Sequence, residues 1–395
     1  MAGFEFDADW SPAAAARDLL PLLTQNAAAV DRDAVFPEAN LASLRASGLL
    51  GLLVPQEYGG PAAGVAELVE VSSILASACL STAMIWSMHC QQVDAIARFG
   101  TDELRATLLP RTASGDVYIA SVTTEKGKSS GILQAVSPLR PGDGLLALER
   151  EAPIVTGGHH ADGFLITMRA SAEAPSHQVS LVYADREQLT VKAEGRWDPL
   201  GMRGTDSVGL RLAGHVPPGN VVGPPGGFRE VAVDSLVPIA HLGWSACWLG
   251  TARAAFAQVV ALAAAPTAPS GLDTGSDLVA ERLARIRLDL ETVGAYLRSV
   301  TSEVAGYRAA GRVPGRPAAV IHLNSLKILA SELCFRAVDG MIALVGMFGG
   351  YSRDSPLHLE RHFRDLRSAA LNYSNSRLLV TNGNLALMDR SVELA

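Results

Sequence analysis

Tyr118-Ile119-Ala120-Ser121-Val122-Thr123-Thr124-Glu125-Lys126-Gly127 is the stretch at which the chain changes character. Upstream, residues 11–115 are rich in Ala and Leu at helical spacing, as in Leu19, Leu20 and Leu23 and again in Val69, Ile74 and Leu75. Tyr58-Gly59-Gly60-Pro61 interrupts them as a turn, and Thr101-Asp102-Glu103 reads as a helix start whose acids suit the helix dipole. Downstream, to about residue 223, short runs at Tyr118–Val122, Phe164–Arg169, Val179–Tyr183 and Leu210–Leu212 are separated by Gly, Pro and Asp, which predicts an antiparallel sheet domain. Helical spacing returns over about 229–264, 277–311 and 315–346 and again from 358, with loops at 264–276 and 312–317. The expectation is an α+β chain in three parts, residues 1–116, 117–227 and 228–395.

With 395 residues, 48% of them hydrophobic and 18% charged, the chain can bury a large core, which excludes global disorder. The net charge of -7 and the lack of any Lys/Arg-rich block argue against nucleic acid as a partner. The longest apolar stretches, such as Leu249–Ala265, still carry Arg253 and Gln258 and fall short of the roughly 20 apolar residues of a membrane span. Met1–Trp10 is acidic and unlike a signal peptide, so a cytoplasmic chain without a membrane partner is expected. Cys79, Cys90, Cys247 and Cys334 are scattered and read as buried thiols rather than disulfides or metal ligands.

Six motifs follow one another in order. They are Gly48–Gly60 (Gly-Leu-Leu-Gly-Leu-Leu-Val-Pro-Gln-Glu-Tyr-Gly-Gly), Arg98–Glu103 leading to Leu109-Pro110 and Ser114-Gly115, Thr124–Gly127, Leu200–Ser207 followed by Val216-Pro217, Phe348–Tyr351, and Glu360–Asp365. In this order and spacing the chain resembles the acyl-CoA dehydrogenase superfamily of flavoproteins over nearly its whole length. The resemblance implies a helical N-domain, a central antiparallel β-domain, a C-terminal four-helix bundle, and assembly as a homodimer or homotetramer.

It also implies FAD. A flavin needs hydrogen bonds along its ring edge and donors for its phosphates. A strand here would put Ser121, Thr123 and Thr124 on one face, and in the family this strand end meets the isoalloxazine edge. Ser130 matches the serine that bonds the pyrophosphate. Ile154-Val155-Thr156 matches the family's W-I-[ST], placing Thr156 near flavin N5 and replacing the covering tryptophan by Ile154. Gly349 and Gly350 match the family's Gly-Gly pair, though such a pair also reads as a plain helix terminus. Two departures concern the adenosine half of FAD. The loop 264–271 lacks the family's arginine, and Gly346 stands where a glutamine is expected. FMN, or reduced flavin from a partner reductase, is therefore the alternative cofactor. His159-His160 suggests a metal pair, but adjacent residues on a strand point apart and no third ligand is evident.

The family's dehydrogenases remove an α-proton with a carboxylate. Counting from Arg364-Asp365, the usual glutamate position holds Tyr373. The alternative position on the first C-domain helix holds Ala240, followed by His241. Tyr373 has an ordinary pKa near 10, whereas His241 would titrate near neutrality as base, acid or substrate anchor, or else pack beside Trp244 and Trp248. Arg364-Asp365 reads as a structural pair, and His89 as a satisfied helix histidine or a pocket residue; Trp86 and Met88 read as core. Three functions remain: α,β-dehydrogenation of an acyl thioester on CoA or an acyl carrier protein with an atypical base; flavin-dependent monooxygenation of a small molecule, although that branch's histidine is here Asn372; and a non-catalytic scaffold.

Overall fold

Ser11 begins the first helix by accepting the Ala14 N–H on its hydroxyl, and Ala34 ends it in a left-handed conformation. The computed structural model describes residues 4, 6, 9–127, 131–265, 272–312, 316–389 and 391–394. The N-terminal part is α1 (Pro12–Asp33), α2 (Glu38–Ala46), α3 (Val65–Ala78), α4 (Leu80–Phe99) and α5 (Asp102–Ala113). Thr101 caps α5 as its sequence predicts: its hydroxyl oxygen accepts from Leu104 N–H at 3.2 Å and donates to the Gly219 carbonyl at 2.7 Å. The hydroxyl thus ties α5 to the end of the sheet region. Thr101→Ala should cost about 1 kcal/mol and Thr101→Ser much less, read as urea midpoints. Equal midpoints for the two would remove the cap from the account.

The strands are β1 (Ile119–Val122), β2 (Arg140–Gly142), β3 (Leu145–Ala152), β4 (Gly163–Arg169), β5 (Val179–Asp185), β6 (Leu189–Glu194), β7 (Gly209–Val216) and β8 (Val221–Val222). They form two four-stranded sheets, ordered β1-β4-β5-β8 and β2-β3-β7-β6. All pairs are antiparallel, as expected, except β1–β4, which runs parallel with Ile119 opposite Gly163 and Val122 opposite Ile166. The parallel pair fits its burial. Phe164, Leu165, Ile166 and Met168 of β4 are all buried, so this strand is covered on both faces.

Helices resume with α6 (Phe228–Val231), a π-turn at Ala232–Leu236 and α7 (Val237–Ala263). Then come α8 (Asp277–Ala309), α9 (Pro317–Gly346), a second π-turn at Met347–Tyr351, α10 (Leu359–Arg367) and α11 (Asn375–Ala386). The segment expected from 358 is thus two helices, broken at 368–374, where Tyr373 takes a φ of 56°. Over Phe228–Ala263 the hydropathy of 1.3 would suit a membrane span by composition. Packing explains it instead: Pro238–Ala252 is continuously buried, and α7 packs against α3, α4, α8 and α9.

Arg364 joins the three parts. Its guanidinium bonds both Asp31 oxygens at 2.8 and 2.6 Å, Glu360 at 2.7 Å and the Leu200 carbonyl at 3.1 Å. Asp365 accepts the Met202 N–H at 2.5 Å. The pair orients the last segment, as its sequence suggests. The four cysteines are buried and free.

Candidate active site

Where the end of β1 approaches α7 and the 368–374 turn, two cavities of about 340 and about 510 Å³ adjoin. Met88, Thr124, Ile154, Thr156, Asn372 and Tyr373 line both. Ser121, Thr123, Ala240, His241 and Trp244 line the smaller one, while Trp197, Leu200, Met202 and Ser207 line the larger. The site therefore draws on all three parts of the chain.

A continued strand would point the adjacent Thr123 and Thr124 to opposite faces, so Ser121, Thr123 and Thr124 could not share one along it; β1 ends at Val122, and both threonines lie beyond the strand. The chain turns there, and all three polar residues still reach the cavity wall. Thr124 Oγ1 donates to the Ile154 carbonyl at 2.7 Å, closing the two sides of the wall. Thr156 and Ser207 share a hydrogen bond of 3.0 Å. β1 is an edge strand, paired with β4 alone. On its outer edge the Ile119 N–H donates to His89 Nδ1 at 3.0 Å, and alternation turns the Ser121 N–H the same way. An outward backbone donor beside hydroxyls and apolar walls (Met88, Ile132, Ile154) is a donor set that fits a flat heteroaromatic ring.

His89 is accounted for without a ligand. Its Nε2–H donates to the Leu50 carbonyl at 3.0 Å while Nδ1 accepts from Ile119, and burial lowers its pKa to about 4. Trp86 is core, its indole N–H bonded to the Leu49 carbonyl at 2.9 Å. Met88, read as core from its sequence, lines both cavities.

His241 does line the cavity, and its ring lies 5.8 Å from that of Tyr373. It does not titrate near neutrality. Burial, joined by the nearby Lys327 charge, lowers its pKa to about 3. Its Nδ1 meets the Leu323 carbonyl at 3.1 Å. A carbonyl only accepts, so Nδ1 carries the proton and Nε2 is an acceptor. The result is a constantly neutral imidazole and a feeble base. Burial likewise raises the pKa of Tyr373. The one carboxylate among the described lining residues is Glu125. Burial would raise its pKa, but Arg150 at 2.6 Å and the N–H groups of Val136 and Ser137, at 2.8 and 2.6 Å, hold it lowered. It is already spoken for by the fold.

Gly349 and Gly350 line neither cavity. They sit in the second π-turn, where a Cβ on Gly350 would lie 2.9 Å from the Ile342 backbone, so packing alone demands a small residue there. Ser130 and residues 266–271 lie outside the described residues. His159 and His160 occupy a 3-10 turn, not a strand. His160 lies 3.3 Å from Glu38 and 3.2 Å from Asp206, and no metal cluster is found among the described residues.

Two contributors escape the sequence reading. Trp244 lines the cavity almost wholly buried, and its indole N–H has no partner among the described residues. Lys327 is fully buried on α9. Its ammonium donates to the carbonyls of Ala369 and Tyr373 at 2.9 and 3.0 Å and to Asn375 Oδ1 at 2.8 Å. This lysine pins the turn that carries Asn372 and Tyr373. The available signal was its position: Leu323, Leu326, Ala330 and Cys334 surround it on the apolar face of α9.

Comparison with known proteins agrees with this architecture. Residues 14–116 match the domain described as acyl-CoA dehydrogenase, N-terminal domain, and residues 242–376 match acyl-CoA dehydrogenase, C-terminal domain. The chain is 25% identical over 353 residues to an acryloyl-CoA reductase (NADH) of Anaerotignum propionicum, covering 86% of this chain and 83% of that one. It is also 25% identical over 394 residues to a dibenzothiophene monooxygenase of Rhodococcus qingshengii, covering 92% and 90%. FMN-bound TdsC of Paenibacillus sp. A11-2, a dibenzothiophene monooxygenase, superposes with a TM-score of 0.86 at 22% identity, covering 97% of this chain and 98% of that one. Together with the site described above, these matches show that the chain belongs to the acyl-CoA dehydrogenase family of flavin-dependent oxidoreductases.

Proposed function

We propose that the chain is a flavin-dependent monooxygenase acting on a small, largely apolar substrate, with reduced flavin supplied by a partner reductase. One observation carries this reading: no uncommitted carboxylate faces either cavity among the described residues. Abstraction of an α-proton needs a base within hydrogen-bond reach and of matched pKa. The family's two base positions are read as Tyr373 and Ala240, with His241 next to the latter, and burial moves both the tyrosine and the histidine away from the range a base needs. Oxygenation makes no such demand. When bound, reduced flavin supplies two electrons, so that one atom of dioxygen enters the substrate and the other leaves as water with two protons.

The chain's own residues would hold and shield the reactants. Ser121, Thr123, Thr124 and Thr156 would hold the ring edge, with Ile154 against it, and Met88, Leu236 and Val237 exclude water. The lack of an arginine in loop 264–271 and of a glutamine at Gly346 supports FMN or a loosely held FAD. Exposed Phe348 and Tyr351 beside Gly349-Gly350, with Leu387 and Met388 on the C-terminal segment, support assembly as a homo-oligomer.

A second reading has its own support. His241 lines the cavity with a neutral Nε2 acceptor, and an acyl-thioester dehydrogenase with that histidine as base would fit the relation to the acryloyl-CoA reductase. The two readings separate in one experiment. Purified protein is given reduced FMN or FAD from a flavin reductase, with dibenzothiophene or indole as probe, under labelled dioxygen. Probe-stimulated dioxygen uptake with one labelled atom in the product is expected. Anaerobic bleaching of tightly bound FAD by butyryl-CoA would overturn the oxygenase in favour of the dehydrogenase.

A further inference from the structure

Of the residues that line both cavities, Thr124, Thr156, Asn372 and Tyr373 are polar. Thr124 and Thr156 are answered within the chain, by the Ile154 carbonyl and by Ser207. The Asn372 carboxamide is not. It bonds no described residue, and in this half-buried side chain neither amide atom is buried out of reach. Elsewhere the fold answers its buried and half-buried asparagines: Asn26, Asn40, Asn220, Asn324, Asn375 and Asn382 each bond a neighbour through the side chain. The position of Asn372 is also imposed. Its backbone N–H donates to the Ser368 carbonyl at 2.9 Å, and Lys327 holds the carbonyls of Ala369 and Tyr373 on either side of it. Tyr373, the next residue, sits at a φ of 56°. Backbone strain of this kind persists only where the surroundings over-determine it, and it gathers at binding sites. An unanswered amide is thus held rigidly on the wall that the two cavities share.

We infer that Asn372 selects the substrate: its carboxamide pairs with a cis-amide edge, an N–H beside a C=O, on an otherwise apolar ring system of aromatic size. A carboxamide sets an acceptor and a donor side by side in one plane. A lactam presents the complementary pair and makes both hydrogen bonds at once. A lone carbonyl makes one of them, and a hydrocarbon makes none. A site built to hydrogen-bond a substrate group discriminates against the analogue lacking it. Asparagine does not titrate, so this residue recognises and does not move protons. Met88, Ile154, Trp197, Leu200 and Trp248 supply the apolar surface around it. Because the turn is already fixed, little freedom is lost when the pair forms. This inference rests on the proposed function only for where the substrate sits and not for what happens to it.

The test is therefore a binding measurement. Equilibrium dialysis of the purified protein in excess FMN compares 2-quinolone, which carries the edge, with naphthalene, which has the same two-ring outline without it. The quantity read is the ratio of the two affinities, because water solvates the quinolone and shifts its absolute value. Asn372→Leu keeps the outline of the side chain and removes both hydrogen-bonding atoms. The ratio should fall about tenfold, the size expected of two net hydrogen bonds, with naphthalene binding unchanged. Asn372→Ala should lower the ratio equally, which separates the lost amide from the way leucine packs. A ratio that survives both substitutions would overturn the inference. So would an unchanged ratio joined to a tenfold loss of FMN affinity, which would give the amide to the flavin's own ring edge, and so would wild type binding neither probe at millimolar concentration. Turnover is not read, so a protein that shows the expected change yet consumes no dioxygen would sink only the proposed reaction.

Discussion

Lys327→Met is expected to cost about 3 kcal/mol or more and to dissolve one wall of the site. Methionine matches the length and flexibility of the lysine stem, so the packing on α9 survives. The three hydrogen bonds to Ala369 O, Tyr373 O and Asn375 Oδ1 do not. The buried Ala369 carbonyl loses its donor at a cost of roughly 1–3 kcal/mol, and the half-buried Tyr373 carbonyl adds a smaller loss. The ammonium's approach to the Trp248 ring, at 5.7 Å, goes as well. The turn it holds is strained, because Tyr373 sits at a φ of 56°, a region a side chain enters only when its surroundings impose it. The urea midpoint should fall, and amide exchange should quicken most over 369–375. An unchanged midpoint with unchanged exchange in that turn would show that the anchor is elsewhere. Burial, against a weaker opposing effect from Glu332, lowers the lysine's pKa to about 7, so its charge is held in place at real cost even in the native state.

The second large effect is acid lability. Burial lowers the pKa values of His89, His241 and His362 to about 4, 3 and 3. In the unfolded chain each takes up its proton near pH 6.5. Between that value and about 4 the unfolded state therefore binds more protons, and stability falls as pH falls. Asp365 works the other way. Burial, outweighing its bond from the Met202 N–H, raises its pKa to about 7, so between about 7 and 4 the native state carries one extra proton. Three missing protons against one extra leave a difference of two. Each proton is worth about 1.4 kcal/mol per pH unit, so the slope is about 3 kcal/mol per unit below pH 6. Over the two units from pH 6 to 4 that removes about 6 kcal/mol, enough to unfold a domain at the low end of the ordinary range of about 5–15 kcal/mol. Urea midpoints measured from pH 7.5 to 5 should drop steeply over the lower half of that range. A flat profile would mean that these histidines are solvated in the native state.

Much of the fold was legible because it is written in local terms. Helical spacing located the N-terminal block and the bundle, Gly/Pro punctuation located β1, β4, β5 and part of β7 but not β2, β3, β6 or β8, and Thr101 announced its own cap. The parallel β1–β4 pairing was not, since direction is decided by where a strand's connections lead and not by its composition. The site was legible as a set of positions: Ser121, Thr123, Thr124, Ile154, Thr156, His241 and Tyr373 all come together at the cavities. Its electrostatics were not. That His241 is neutral depends on the depth of burial and on Lys327, 86 residues away in sequence. That Trp244 carries an unanswered donor depends on what its neighbours lack, and single residues do not announce an absence.

The π-turn at Ala232–Leu236 sets the angular phase of everything after it on α7. An α-helix turns about 100° per residue, and a π-turn takes up one residue without passing that rotation on. Ala240, His241 and Trp244 follow within three turns. Whether the imidazole and the indole look into the cavity or into the bundle is thus a matter of counting, fixed by a single residue upstream of the wall. The helix works like a key cut on a rotating shaft: its teeth are the side chains, and the π-turn decides how far the shaft has been turned before they engage.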